Sequence, residues 1–342
     1  MRLKPLVLAV LAAGLASALA IPGTASAQPV GRGFVVPDNA GDILDVQRTL
    51  NDDLERSLPP GAGAARVQLC DPAARSFSWR ALDKVTPAKF QGSCGSCWAF
   101  STEAAIETSY MVYHDTSATG PDLSEQELLD CAGSFAAASN APAGYDCSGG
   151  WFAAPLRMAQ TKGILDDASY RTYDGVKMAC QPIVGQRTPI TSWTPLASVR
   201  PPQYMATARE IKEALCMNGG VASALNTREG FPTSGAFTSV IEGPSSGTIA
   251  NPAIDHAVQI VGWDDDEGAW IIKNSWGSWW GDQGFAKVRY GTRNIGYMAT
   301  TMKANLDLVV RSLPGPAAVD FLNRRQNALA SFPEQVERRR LR

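Results

Sequence analysis

The stretch Gln91-Gly92-Ser93-Cys94-Gly95-Ser96-Cys97-Trp98-Ala99-Phe100 decides how the rest of this chain is read. Gly92 and Gly95 allow a tight turn, because glycine adopts positive φ without steric cost. From Trp98 to His114 there is no Pro or Gly and several Ala and Glu, which predicts a helix. Cys97 then stands at a helix N-terminus, where free N–H groups and the helix dipole favour a thiolate. That is the setting of a nucleophilic cysteine.

A nucleophilic thiol needs a base, and the chain has only two histidines, His114 and His256. His114 ends the predicted helix, roughly 25 Å from Cys97 at about 1.5 Å per residue, out of reach. His256 is therefore the candidate base. It opens Ile254-Asp255-His256-Ala257-Val258-Gln259-Ile260-Val261-Gly262-Trp263, which reads as a strand, and Asp264 to Gly268 as a turn. Ala269 to Gly277 returns as a second strand carrying Asn274. A turn centred near residue 265 pairs residues whose numbers sum to about 530, which sets Asn274 opposite His256.

Cys94-Gly95-Ser96-Cys97-Trp98 fits the C-G-[SA]-C-[WY] signature at every position, and the chain resembles the papain-family (C1-type) cysteine proteases. The resemblance begins near Ser76-Phe77-Ser78-Trp79-Arg80 and passes through Leu123 to Cys131, Cys147-Ser148-Gly149-Gly150-Trp151 and Asn274-Ser275-Trp276-Gly277. It implies an α+β, two-lobed papain-like fold, with Cys97 on a helical lobe and His256 and Asn274 on a β-barrel-like lobe. It also implies a Cys-His-Asn triad, with His256 as base, Asn274 orienting its ring and Gln91 donating to the oxyanion beside the Cys97 backbone N–H. Trp276 is expected to shield the His–Asn bond. Gly149 and Gly150 would lie along the substrate backbone, and Phe152, Ala224, Ile254 and Ala257 would line an apolar pocket for the residue two before the scissile bond. With only His114 to spare, a histidine-bearing loop that grips a chain terminus is not available, so an endopeptidase is expected. His256 follows Cys97 by 159 residues, beyond the roughly 130–150 usual for the family; a long Cys131–Cys147 loop and a Pro-rich insertion at 182–207 supply the excess.

The amino terminus reads as an export signal, residues 1–27, with Arg2 and Lys4 before an apolar run and a small-residue cleavage pattern at Ala25-Ser26-Ala27. Secretion into an extracellular or periplasmic space makes disulfides the expected state of most of the seven cysteines. Setting Cys97 aside leaves six, which allow 15 connectivities. The resemblance implies Cys94–Cys147 and Cys131–Cys180; Cys70 and Cys216 remain as the third pair.

Residues 28–66 are expected to be a short propeptide, an inhibitor of its own enzyme. Ile43, Leu44, Val46, Leu50 and Leu54 are spaced for an amphipathic helix over Asp42 to Leu58, and Pro59 to Gly63 forms a cleavable linker. The protease domain is placed at 67–302. Residues 303–342 are a C-terminal extension, with a short helix over Val319 to Leu329 and a solvated basic tail at Arg338-Arg339-Arg340. The expected protein is a secreted, bacterial-like monomer acting on polypeptides. A net charge of −2 offers no basis for nucleic-acid binding. No stable membrane insertion is expected, and no cofactor or metal, since the thiols pair and the histidines lie apart. The competing readings are an inactive papain-like binding protein, a Cys–His cell-wall amidase and a disulfide-rich structural module.

Overall fold

The structure, a computed structural model, describes residues 31–59, 69–136, 144–201, 203–247 and 253–341. The expected signal segment and most of the expected linker lie outside the described residues.

The helical lobe is built on α2 (Cys97–Tyr113), α3 (Glu125–Cys131) and α4 (Ala153–Thr161), preceded in the chain by α1 (Ala40–Ser57). Every residue of α2 except Tyr110 and Tyr113 is buried, so the helix is covered on all sides. Ser124 caps α3 by accepting from the Glu127 N–H, as its spacing predicts. The Glu127 carboxylate does not return to complete a box; it binds Lys162, Arg187 and the Leu165 N–H instead.

The second lobe is one antiparallel sheet with strand order β4 (Ser192–Pro195), β9 (Tyr297–Lys303), β5 (Val221–Leu225), β6 (His256–Asp264), β7 (Ala269–Lys273) and β8 (Phe285–Arg289). β1 (Ser76–Ser78) adds to β6. β2 (Ile164–Leu165) and β3 (Arg187–Thr188) make a small separate ladder. The 182–207 segment, expected as a connection and insertion, thus supplies two strands, one of them the edge of the main sheet. α5 (Ala208–Asn218) carries a full capping box, Thr207 with Glu210. α2 packs across β5, β6 and β9, and this contact joins the lobes.

Three disulfides are present: Cys94–Cys147, Cys131–Cys180 and Cys70–Cys216. The last ties the start of the domain to the end of α5 across 146 residues, next to the Leu69 N–H bond to the Cys216 carbonyl. Closing so long a loop contributes about 2–5 kcal/mol. The Cys70→Ser/Cys216→Ser chain is therefore expected to melt about 5–15 °C lower at roughly 2–4 °C per kcal/mol, read by scanning calorimetry with the other two bridges intact. An unchanged melting temperature would show this bridge contributes no stability.

After β9 the chain forms α6 (Leu306–Ser312) and α7 (Gly315–Arg340). The helix predicted for Val319–Leu329 is thus more than twice as long, and the arginine tail is helical. Phe332 and Val336 are fully buried, and that burial outweighs the backbone bond lost at Pro333. No helix among the described residues is long and apolar enough to cross a membrane.

Candidate active site

Cys97 is the first residue of α2 and is fully buried. It is the free cysteine among the described residues. Backbone N–H groups of Gly33, Ala257 and Trp98 bond its sulfur. The bond from Ala257, the second residue of β6, sets the sulfur beside the start of that strand, next to His256.

His256 Nε2–H donates to Asn274 Oδ1 at 2.8 Å. That bond puts the ring proton on Nε2 and leaves Nδ1 without a hydrogen-bond partner among the described residues. The backbone register differs from the expected one. β6 and β7 pair Gln259 with Lys273, and a bulge shifts the ladder between Ile260 and Gly262. The numbers therefore sum to 532 beside the site and 533 nearer the turn, not 530. Asn274 lies just past the end of β7, two positions diagonal to His256. A shift of two keeps both side chains on one face, and the pair still meets. Trp276 covers it, its ring centred 4.7 Å from the imidazole. Lys273 anchors the end of β7 by donating to Thr86 Oγ1 at 2.6 Å, with Glu107 of α2 3.9 Å away.

Gln91 is held in one orientation. Ser275 Oγ–H donates to its Oε1 at 2.5 Å, and its backbone N–H reaches the Ser275 carbonyl. The amide Nε2 then faces the site, donating to the carbonyls of Cys94 (2.8 Å) and Gly31 (3.2 Å). Ser275 carries no signal of its own in the sequence, beyond standing next to Asn274.

The cleft is filled by residues 31–36 of the N-terminal extension. The Gly150 N–H donates to the Gly33 carbonyl, the Val35 N–H to the Gly150 carbonyl, and the Phe34 N–H to the Asp255 carbonyl. Gly149 has φ +140°, and a side chain there would strike the Gly33 carbonyl and Val35. The Phe34 ring rests 4.7 Å from Phe152. Arg32 donates to Thr227 Oγ1 at 2.7 Å and lies 5.9 Å over Trp276. An open cavity of about 530 Å³ continues alongside, lined by Phe34, Ile254, Asp255, Arg228 and Tyr297 among others. Of the expected pocket residues, Ile254 lines this cavity, whereas Phe152, Ala257 and Ala224 are buried and do not, Ala224 lying opposite Ala257 in the sheet. The partner of Ala224 on the other side, Tyr297 of β9, does line it.

Burial pushes the Cys97 thiol up to about 12, against the three N–H bonds that lower it. Burial likewise pushes His256 down to about 4, against the Asn274 bond that raises it. With the cleft filled, both groups are neutral at pH 7. His114 takes no part: it caps the far end of α2, bonded to Asp307 and stacked on Tyr110.

Residues 73–305 match the family described as papain family cysteine protease, and the chain belongs to that family. It is 34% identical over 237 residues to the viral cathepsin of Spodoptera litura multicapsid nucleopolyhedrovirus, covering 67% of this chain and 61% of that protein. It is 30% identical over 284 residues to Peptidase 1 of Dermatophagoides pteronyssinus, covering 81% and 72%. It is 34% identical to thiol protease aleurain of Arabidopsis thaliana, covering 64% and 56%. The chain spans about three-fifths of the length of the viral and plant proteins. A solved cysteine protease of Carica candamarcensis superposes with TM-score 0.54 at 25% identity, covering 67% of this chain and 98% of that one. A structure from work on the mite allergens Blo t 1 and Der p 1 superposes with TM-score 0.57 at 26% identity, covering 69% and 73%. The fold is papain-like and two-lobed. The relatives named here are viral, mite and plant proteins, none of them bacterial.

Proposed function

We propose that this chain is a secreted, bacterial-like cysteine endopeptidase, made as a precursor whose short propeptide blocks the cleft. The observation that carries this reading is the His256–Asn274 bond, 2.8 Å, beside a buried thiol at the start of α2. Once the cleft is open, His256 Nδ1 takes the Cys97 proton, and the thiolate attacks the substrate carbonyl carbon. Gln91 Nε2 and the Cys97 backbone N–H donate to the oxyanion. The imidazolium then gives its proton to the leaving amine as the C–N bond breaks, and water, deprotonated by His256, hydrolyses the thioester.

The direction of residues 31–36 supports the propeptide reading. A substrate runs from the Phe152 pocket to the carbonyl held by Gln91. The extension runs the other way, from Gly31 at Gln91 to Phe34 at Phe152. What faces the Cys97 sulfur is the Gly33 N–H, which a thiolate cannot attack. Phe34 occupies the place assigned to the second substrate residue, which favours an apolar or aromatic side chain there.

The test is hydrolysis of fluorogenic peptides by the processed chain. A second residue of Phe or Leu is expected to give kcat/KM at least tenfold above Arg or Glu, and Cys97→Ala to give no turnover. Processed wild type inert toward every peptide would sink the enzyme reading; equal rates would sink the pocket assignment.

The neutral thiol carries its own prediction. A thiol held near 12 is almost wholly protonated at pH 7, and the propeptide also covers it. Iodoacetamide is therefore expected to label Cys97 at least 100-fold more slowly in the intact precursor than after processing, with the precursor's rate rising as pH rises. Mass spectrometry of the labelled peptide reads both rates, and equal labelling at pH 7 would contradict a filled cleft.

A further inference from the structure

The family match ends at residue 305, and α7 begins ten residues later. Its buried positions Phe321, Arg325, Leu329, Phe332 and Val336 recur every three or four residues and form one stripe. The middle of that stripe is fastened to the protease domain. Arg325 donates to the carbonyls of Gln160 and Ile190, and the Arg157 guanidinium lies 4.3 Å over the Phe332 ring. The last turns meet the N-terminal extension instead. Arg339 pairs with Asp45 of α1 at 3.0 Å, and Val46 and Thr49 of α1 face Gln335, Arg338 and Arg339 across a gap of about 210 Å³.

On its other side α1 is bonded to backbone carbonyls at the sheet edge. Asn51 and Gln47 reach the Trp193 carbonyl, and Arg48 those of Leu196 and Val199. α1 is thus seated between β4 and α7, only four residues after the segment that fills the cleft.

We propose that α7 is a docking surface for the chain's own N-terminal segment, and that it keeps residues 31–57 on the enzyme after the chain is cut between α1 and Cys70. A cut there frees the segment covalently but leaves α1 in its seat, so the nicked protein stays blocked until α1 dissociates. This rests on the reading of residues 31–36 as an inhibitor.

The test uses the full-length precursor nicked between α1 and Cys70, following release of the N-terminal fragment by gel filtration and the appearance of peptidase activity. Wild type is expected to keep the fragment bound and to stay inhibited at micromolar concentration. Val46→Arg sets a third cation against Arg338 and Arg339 and is expected to speed release at least tenfold, while the processed enzyme, which no longer contains residue 46, is unchanged. The exposed pair calls for a cycle. Asp45→Arg and Arg339→Asp are each expected to speed release about two- to fivefold, and the double exchange to restore much of the loss. A nicked wild type that sheds its fragment at once overturns the docking surface. So does a nicked wild type that stays blocked while Val46→Arg behaves like it and the cycle shows no coupling. An intact, uncut precursor with full activity would instead overturn the inhibitor reading itself.

Discussion

Replacing Gly33 by valine is expected to turn the uncut precursor into an active peptidase, raising its rate at least 100-fold toward that of the processed chain. The extension approaches the active-site turn so closely at this residue that a Cβ would lie 2.1 Å from the Gly95 carbonyl oxygen. The turn cannot retreat. The Gly95 N–H is bonded to the Cys147 carbonyl, and the Cys94–Cys147 disulfide ties both sides together. The extension must therefore lift, which breaks the Gly33 bonds to Cys97 and Gly150 together. A hundredfold change corresponds to about 2.8 kcal/mol, less than the loss of two buried hydrogen bonds and a backbone overlap are expected to cost. Initial rates are read before any cut band appears on a gel. Arg32→Ala provides the comparison: its side chain is partly exposed, and losing the Thr227 bond is expected to change the precursor's rate by only about threefold. A Gly33→Val precursor as silent as wild type, from a variant that processes to normal activity, would show that the extension does not block the cleft through this contact.

His256→Ala in the processed chain is expected to lower kcat/KM by about 10⁴–10⁶, the scale on which a triad's base is lost. Asn274→Ala is expected to cost less, about 10–10³, because the base survives and only its orientation is lost. That variant also leaves the buried His256 Nε2–H and the Ser275 N–H without their shared acceptor, at about 1–3 kcal/mol each, so its melting temperature should fall as well. His114→Ala is expected to stay within about twofold of wild type in kcat/KM, since His114 serves the far end of α2. Steady-state kinetics on folded protein decide it. A His256→Ala chain retaining a tenth of wild-type activity would remove this histidine from the mechanism.

Much of the candidate site is local, and local features are legible in a linear sequence. A Gly/Ser turn running into an Ala-rich helix puts Cys97 at an N-terminus whatever the rest of the chain does. Two β-branched runs about an acidic turn make the hairpin that carries His256 and Asn274. The bulge between Ile260 and Gly262 was not legible, because it arises where β1 pairs against the far side of β6 and brings the Phe77 backbone close to Gly262. The partnership survived because a displacement of two residues preserves the face of a strand.

What the sequence alone determined, then, is the set of residues from which the proposed chemistry is drawn: a cysteine at a helix N-terminus, the one histidine within its reach, an amide on the returning strand, and an amphipathic N-terminal helix with its apolar face. Each depends on residue type and on spacings of a few positions. Only the tertiary structure decided what fills the cleft and what holds it there. Gly31-Arg32-Gly33-Phe34 reads as ordinary loop until Gly95, Gly150 and Phe152, more than sixty residues away, close around it. The Arg338–Arg340 turn reads as a solvated tail until Val336 is buried and Arg339 meets Asp45 across nearly three hundred residues. Contacts between segments so distant depend on how the whole chain packs, and no local spacing encodes them.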